Sequence, residues 1–201
     1  MKEWLCHNID PEAKVKEFME KTAVKREALL RDENFTLDQI IKEFPRLFDT
    51  PGMVEVDFRT VFPDVADRLY MQWTLGFSEK VLQYATLQEK WENYLNVNSE
   101  AINTDKKKVN ASLSVLPVTL PCGKKGRKKA TIMDAKKSYM DVQPQIVTNI
   151  PKYLDEVTNR QPYILVLGEA LDPSQVFVIV ERKALEQASL LKAVDVCFKL
   201  F

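Results

Sequence analysis

Histidine is almost missing from this chain: its 201 residues contain one, His7. That excludes His-based metal clusters and leaves a single candidate imidazole base, near the N-terminus. Cysteine is scarce as well. Cys6, Cys122 and Cys197 are odd in number and far apart, a spacing that fits neither a zinc knuckle nor a disulfide framework. They read as three unpaired thiols of a reduced intracellular protein. Only five glycines occur, and the Gly-x-Gly-x-x-Gly fingerprint is absent. A phosphate loop is absent too. Five positions after Gly123 stands Lys128, then Lys129 and Ala130, where glycine, lysine and Ser/Thr are required. The N-terminal MKEWLCHNIDPEAKVKEF lacks the apolar centre of a signal peptide. No apolar run approaches the roughly 20 residues that span a bilayer. Net charge is missing as well: 29 Lys/Arg balance 29 Asp/Glu, so no whole-chain field draws a polyanion or a membrane.

What is present suits a globular protein. The chain is 45% hydrophobic and 29% charged, too apolar for global disorder. A compact fold of this length buries roughly 70% of its unfolded surface. Helical punctuation dominates the first half. Asp10 and Pro11 mark a helix start, followed by Val15, Phe18, Met19, Thr22 and Ala23 at helical spacing. The opposite Lys/Glu/Arg-rich face reads as solvated. Thr36 with Gln39 forms a capping box, and Pro45 ends that short helix. Asp49-Thr50-Pro51-Gly52 is a turn, and a helix is expected from Met53 to Phe62. Asp64 opens another, carrying Trp73. Gly76 separates it from a long helix capped by Ser78, with Val81, Tyr84, Ala85, Trp91, Tyr94 and Leu95 on one stripe. Aromatics on such a stripe read as core rather than as a ligand box.

The pattern changes at Asn96. Residues 98–131 combine polar residues, lysine runs, Pro117, Pro121, Gly123 and Gly126, and read as a basic, flexible linker. Between Asp105 and Lys137 there are ten Lys/Arg against two acidic residues. The candidate site is Lys124, Lys125, Arg127, Lys128 and Lys129. Such a run fits three roles: a solvated spacer, a nuclear import signal, or a phosphate-binding segment acting through counterion release. No aromatic is interleaved, so base stacking is not indicated. Cys6 beside His7 has no orienting third group. Carboxylate pairs such as Asp155-Glu156 lie on polar helix faces. No catalytic, cofactor-binding or metal residue is therefore singled out.

Beyond residue 131 a helix is expected around 133–142 and another at 151–158. Strands follow at 163–167 and 176–181, then a helix over 187–201. The first strand is apolar throughout, so both its faces should be covered. The last helix runs into Phe201 without a stop signal, and a small ββα unit cannot bury its own apolar faces. The expectation is that the fold needs neighbours beyond residue 201. TLDQIIKEFPRLFDTPGMVEVDFRTVFPDVADRL, within residues 35–85, resembles a large group of fish proteins described as sterile alpha motif domain-containing protein 3-like. QPYILVLG, SQVFVIVE and LLKAVDVCFKLF resemble the last block of the same group. The resemblance implies a continuing C-terminal helix and no catalytic residues; the sterile alpha motif itself would precede this region, and residues 1–97 do not display it.

The resulting expectation is an α+β, predominantly helical chain. It comprises a helical domain (1–97), a basic linker (98–131) and a small α-β-β-α unit (132–201) left incomplete. A non-enzymatic intracellular interaction or regulatory protein, cytoplasmic or nuclear, fits these features. One alternative is a nucleic-acid-associated nuclear protein derived from a mobile element. Another is an enzyme of unrecognised type. Protein partners are expected, nucleic acid is a possible partner through the basic run, and no membrane or cofactor is implied.

Overall fold

The computed structural model describes residues 1–32, 34–88, 99–120, 124–125, 128–129, 131–145, 149–157, 159 and 161–200. The fold is α+β and predominantly helical. It divides into two compact units: Met1–Arg68 together with the chain end from Phe198, and Leu69–Cys197. Among the described residues no helix is long and apolar enough to cross a membrane.

The first unit contains α1 (Lys2–His7), α2 (Glu12–Leu30), α3 (Leu37–Glu43), α4 (Arg46–Asp49) and α5 (Met53–Val61). Helix α1 was not anticipated. Its Leu5 is fully buried, so the start of the chain is part of the core. Helix α2 begins one residue later than its sequence signal: Pro11, not Asp10, is the N-cap, without a side-chain cap bond. Val15, Met19, Ala23 and Arg26 form its buried stripe. Helix α3 has the anticipated capping box. The Gln39 backbone N–H donates to Thr36 Oγ1 at 3.3 Å, and the Thr36 N–H donates to Gln39 Oε1 at 2.7 Å. Helix α3 stops before Pro45, which has no N–H to continue the ladder. Gly52, at φ +82°, turns the chain into α5. Helix α5 then packs along α2.

Across the boundary at Arg68 runs α6 (Arg68–Gln72), and the second unit continues with a π-helical turn (Trp73–Phe77) and α7 (Ser78–Leu87). Gly76, at φ +152°, breaks the helical path as its position suggested. Phe77 rather than Ser78 occupies the N-cap of α7. Trp91, Tyr94 and Leu95 lie outside the described residues. Trp73 is core: its Nε1 donates to the buried Ser112 Oγ at 2.9 Å.

The linker expected over 98–131 is not what the chain forms there. A 3-10 turn (Ser99–Ala101), α8 (Asp105–Ser114) and α9 (Leu116–Thr119) occupy much of it. Helix α8 is anchored by its small polar residues. Asn110 Nδ2 donates to the Leu171 carbonyl at 3.0 Å, and Ser114 Oγ donates to the Asn110 carbonyl at 2.8 Å. Residues of types that favour loops can be buried here because their hydrogen bonds are made. Asn110-Ala111-Ser112, which matches a glycosylation acceptor, is buried in this helix.

The α-β-β-α expectation also needs correction. After α10 (Ile132–Tyr139) the chain forms β3 (Met140–Gln143), α11 (Ile150–Glu156), β4 (Tyr163–Gly168), β5 (Pro173–Val180), β6 (Lys183–Gln187) and α12 (Leu190–Lys199). Strands β3-β4-β5-β6 lie in that order. The β3–β4 pair is parallel and the other two are antiparallel. The parallel pair needs a crossover, which α11 supplies. Tyr163, Leu165, Leu167, Phe177 and Ile179 pack with Ile150, Tyr153 and Leu154 of α11. Ile164, Val166, Val176, Val178 and Val180, on the opposite face, are buried too. In α12 Phe198 is exposed, while Asp195 and Val196 are buried.

Candidate functional site

The basic run has a regular backbone. Lys124–Lys125 and Lys128–Lys129 form β1 and β2, paired antiparallel with Lys124 opposite Lys129 and Lys125 opposite Lys128. The connection between them is Gly126-Arg127; these two residues lie outside the described ones, as do Cys122 and Gly123. Directly opposed residues in an antiparallel pair stand about 5 Å apart, and like charges so placed repel. Four lysines are thus gathered at adjacent register positions. Sequence had marked the charge but not the pairing.

A second polar constellation lies in the sheet unit. Tyr163 OH donates to Tyr153 OH at 3.0 Å, and Tyr153 OH donates to Asp141 Oδ2 at 2.8 Å. Gln143 Nε2 donates to both carboxylate oxygens of Asp141, at 3.0 and 3.1 Å. Burial pushes both phenols above their ordinary value, Tyr153 far above; its hydrogen bonds to Tyr163 and Asp141 add to the upward shift. These tyrosines therefore keep their protons at neutral pH. The chain of hydrogen bonds fastens β3, α11 and β4 to one another and offers no poised base among the phenols. No sequence motif announced it, because its members come together through the β3–β4 pairing and the packing of α11 on the sheet.

Of the three thiols, Cys6 and Cys197 are among the described residues. Cys6 Sγ donates to the Glu43 carbonyl at 3.2 Å, which commits the thiol to α3. Burial pushes the Cys197 thiol up to about 11, so it is not activated. Among the described residues no three or more His, Cys, Asp or Glu side chains gather as metal ligands would. The first unit holds a cavity of about 70 Å³. Leu30, Leu47, Val54, Phe58 and Phe62 line it, with Asp57 at the wall. That is well below the ~300–1,000 Å³ of typical small-molecule sites.

One surface feature stands out from the helical layer of the second unit. Tyr70, Met71, Leu75, Phe77, Tyr84 and Leu87 are exposed, Leu75 by 81% and Leu87 by 78%. On α7 the inward positions are Ser78, Val81 and Ala85, the last two packed with Val115 and Ile102. Phe77, Tyr84 and Leu87 recur at three- and seven-residue spacing on the outer side, so the segment is apolar on two sides. Compared with known proteins, the chain matches no family model, no curated protein and no solved structure.

Proposed function

We propose that this chain is a non-enzymatic protein-interaction or regulatory protein, and that the outer side of α6–α7 is where a protein partner docks. The observation carrying this reading is the run of six large exposed apolar side chains between Tyr70 and Leu87. Aromatic and methionine side chains are enriched at interfaces, and they dominate binding energy where a partner buries them. The partner's contribution would be an apolar helical or strand face. Leu75→Glu with Leu87→Glu tests it. Both positions are more than three-quarters exposed, so the fold should survive, as circular dichroism and thermal melting would show. Affinity capture from cells with the native chain should return a defined set of proteins that the double variant loses, and each should rebind the native chain when purified. Identical sets for the two chains, or turnover of a small substrate by the purified protein, defeats the reading. Light scattering of the purified chain reports whether a second copy is the occupant.

A second reading has its own observation: the opposed lysines of the β1–β2 hairpin. Phosphates of a nucleic acid would relieve that repulsion and release counterions. Binding would then come from the hairpin alone, since the whole chain carries no net charge. Replacing Lys124, Lys125, Arg127, Lys128 and Lys129 by alanine should lower affinity and flatten its dependence on salt by up to about four units of logarithmic slope. Unchanged affinity and slope dispose of it. The resemblance to the fish sterile alpha motif domain-containing protein 3-like group is compatible with either reading.

A further inference from the structure

We infer that Thr131 is a phosphorylation site for a protein kinase that recognises basic residues upstream of its target. Lys129 and Lys128 stand two and three positions before Thr131. Ile132 follows directly and is 41% exposed. Kinases discriminate substrates by charge pattern, an acidic groove accepting lysine and arginine on an extended chain. Lys128–Lys129 is extended in the structure as β2. Thr131 itself is extended at φ −82°, ψ 161°, and exposed.

The hydroxyl sits in a local capping box. Thr131 Oγ1 donates to Asp134 Oδ2 at 2.8 Å and accepts from the Asp134 backbone N–H at 3.1 Å. Opening the site therefore removes a helix cap. The helix behind it, α10, has eight residues and none of them is buried. Thr131, Ile132 and Met133 at its start are exposed, so the first turn can open into a kinase groove while the later residues stay packed. This separates Thr131 from Thr36, whose capping box precedes a helix with Ile40 and Ile41 buried.

The transfer is balanced with ATP as donor. Thr131 Oγ1 bonds to the γ-phosphorus and the bond from that phosphorus to ADP breaks. ADP leaves with Mg²⁺, and the hydroxyl proton passes to the kinase's catalytic carboxylate. The product adds about −1.5 to −2 charge within a few residues of the hairpin lysines. The phosphate can take over the Thr131 cap bonds at the helix N-terminus, while it repels the Asp134 carboxylate that now shares the box.

The test uses the folded full chain, Mg-ATP and the catalytic domain of a basic-directed Ser/Thr kinase, read by intact mass and fragment sequencing. The expected result is one phosphate on Thr131 of the native chain. Thr131→Val should lose it, Thr131→Ser keep it, and Lys128→Ala with Lys129→Ala slow it about tenfold or more. No phosphate on Thr131, or phosphate there only after heat denaturation, overturns the inference, provided a peptide of residues 124–136 is modified in parallel. The inference does not depend on nucleic-acid binding. In a separate arm, if the hairpin does bind DNA, the phosphorylated chain should show a salt slope smaller by about one to two units.

Discussion

Arg26 has no solvent exposure, yet it is a cation inside the helical unit. Its guanidinium donates to both carboxylate oxygens of Asp57, to Thr22 Oγ1 and to the Met19 carbonyl, and it lies 5.0 Å from the centre of the Phe44 ring. Burial raises the Asp57 carboxyl above its ordinary value, and the Arg26 hydrogen bonds and charge oppose that shift. Two charges out of water need both partners. Breaking a pair of this kind costs about 3–5 kcal/mol, whereas replacing both members by apolar groups of similar volume is close to neutral or better. Arg26→Ala should therefore destabilise the chain by about 3–5 kcal/mol. Arg26→Met with Asp57→Leu should recover most of the loss. Urea denaturation of the singles and the double gives the cycle. A single-variant cost below about 1 kcal/mol would mean that the pair is dispensable. Residue type places Arg26 outside, on the charged face of α2; the spacing 15-19-23-26 places it inside, and spacing prevails because the hydrogen bonds satisfy the charge.

Helices with strong punctuation were readable from composition and order: Thr36-Gln39 before α3, Gly52 before α5, Gly76 at the break. Strands β4 and β5 were readable because each is a dense run of branched apolar residues. Strand β6 was not. Lys183, Ala184, Leu185, Glu186 and Gln187 are all good helix formers, and only their pairing with β5 makes them a strand. Helix α8 was hidden for the opposite reason: Asn110, Ser112 and Ser114 favour loops until Leu171 and Trp73 bind them. At the candidate site, the charge of Lys124 to Lys129 was legible but its hairpin was not, since lysine has little strand preference. The exposure of Leu75 and Leu87 could not be known before their neighbours were placed. The β5–β6 connection yields an elemental prediction. Val180 pairs with Lys183, so Glu181-Arg182 is a two-residue loop, with φ of +45° and +61°. Such loops favour Asn-Gly, because side chains with a Cβ are disfavoured at positive φ. Glu181→Asn with Arg182→Gly should stabilise the chain by roughly 1 kcal/mol, seen as a higher denaturant midpoint at constant slope. An unchanged or lower midpoint contradicts that account of the turn.

For the molecule as a whole, pH should act unevenly. Tyr153 and Tyr163 lie above the ordinary 10.0, and Cys197 is raised from 9.0 to about 11, all chiefly through burial. A group whose native pKa exceeds its unfolded value holds its proton more tightly when folded. Its contribution is complete below the unfolded value and disappears as pH climbs through the native one. All three groups belong to the second unit, and their contributions are lost in the same direction above about pH 9–10. Among the described residues the shifted carboxyls give no such reinforcement on the acid side. Asp57 is raised, while the lowered carboxyls, Glu17 beside Lys21 and Asp172 beside Lys106, are fully exposed and screened. Stability should therefore decline steeply between about pH 9 and 11. Tyr153→Phe removes the phenol that is most strongly shifted while keeping the ring against Leu165 and Leu167. It should flatten that decline, at the cost of the Asp141 hydrogen bond at neutral pH. Equilibrium denaturation at a series of pH values, with phenolate absorbance recorded alongside, gives both curves. If both phenols ionise with ordinary values while the fold stays intact, the buried hydrogen-bond chain does not hold its protons as described.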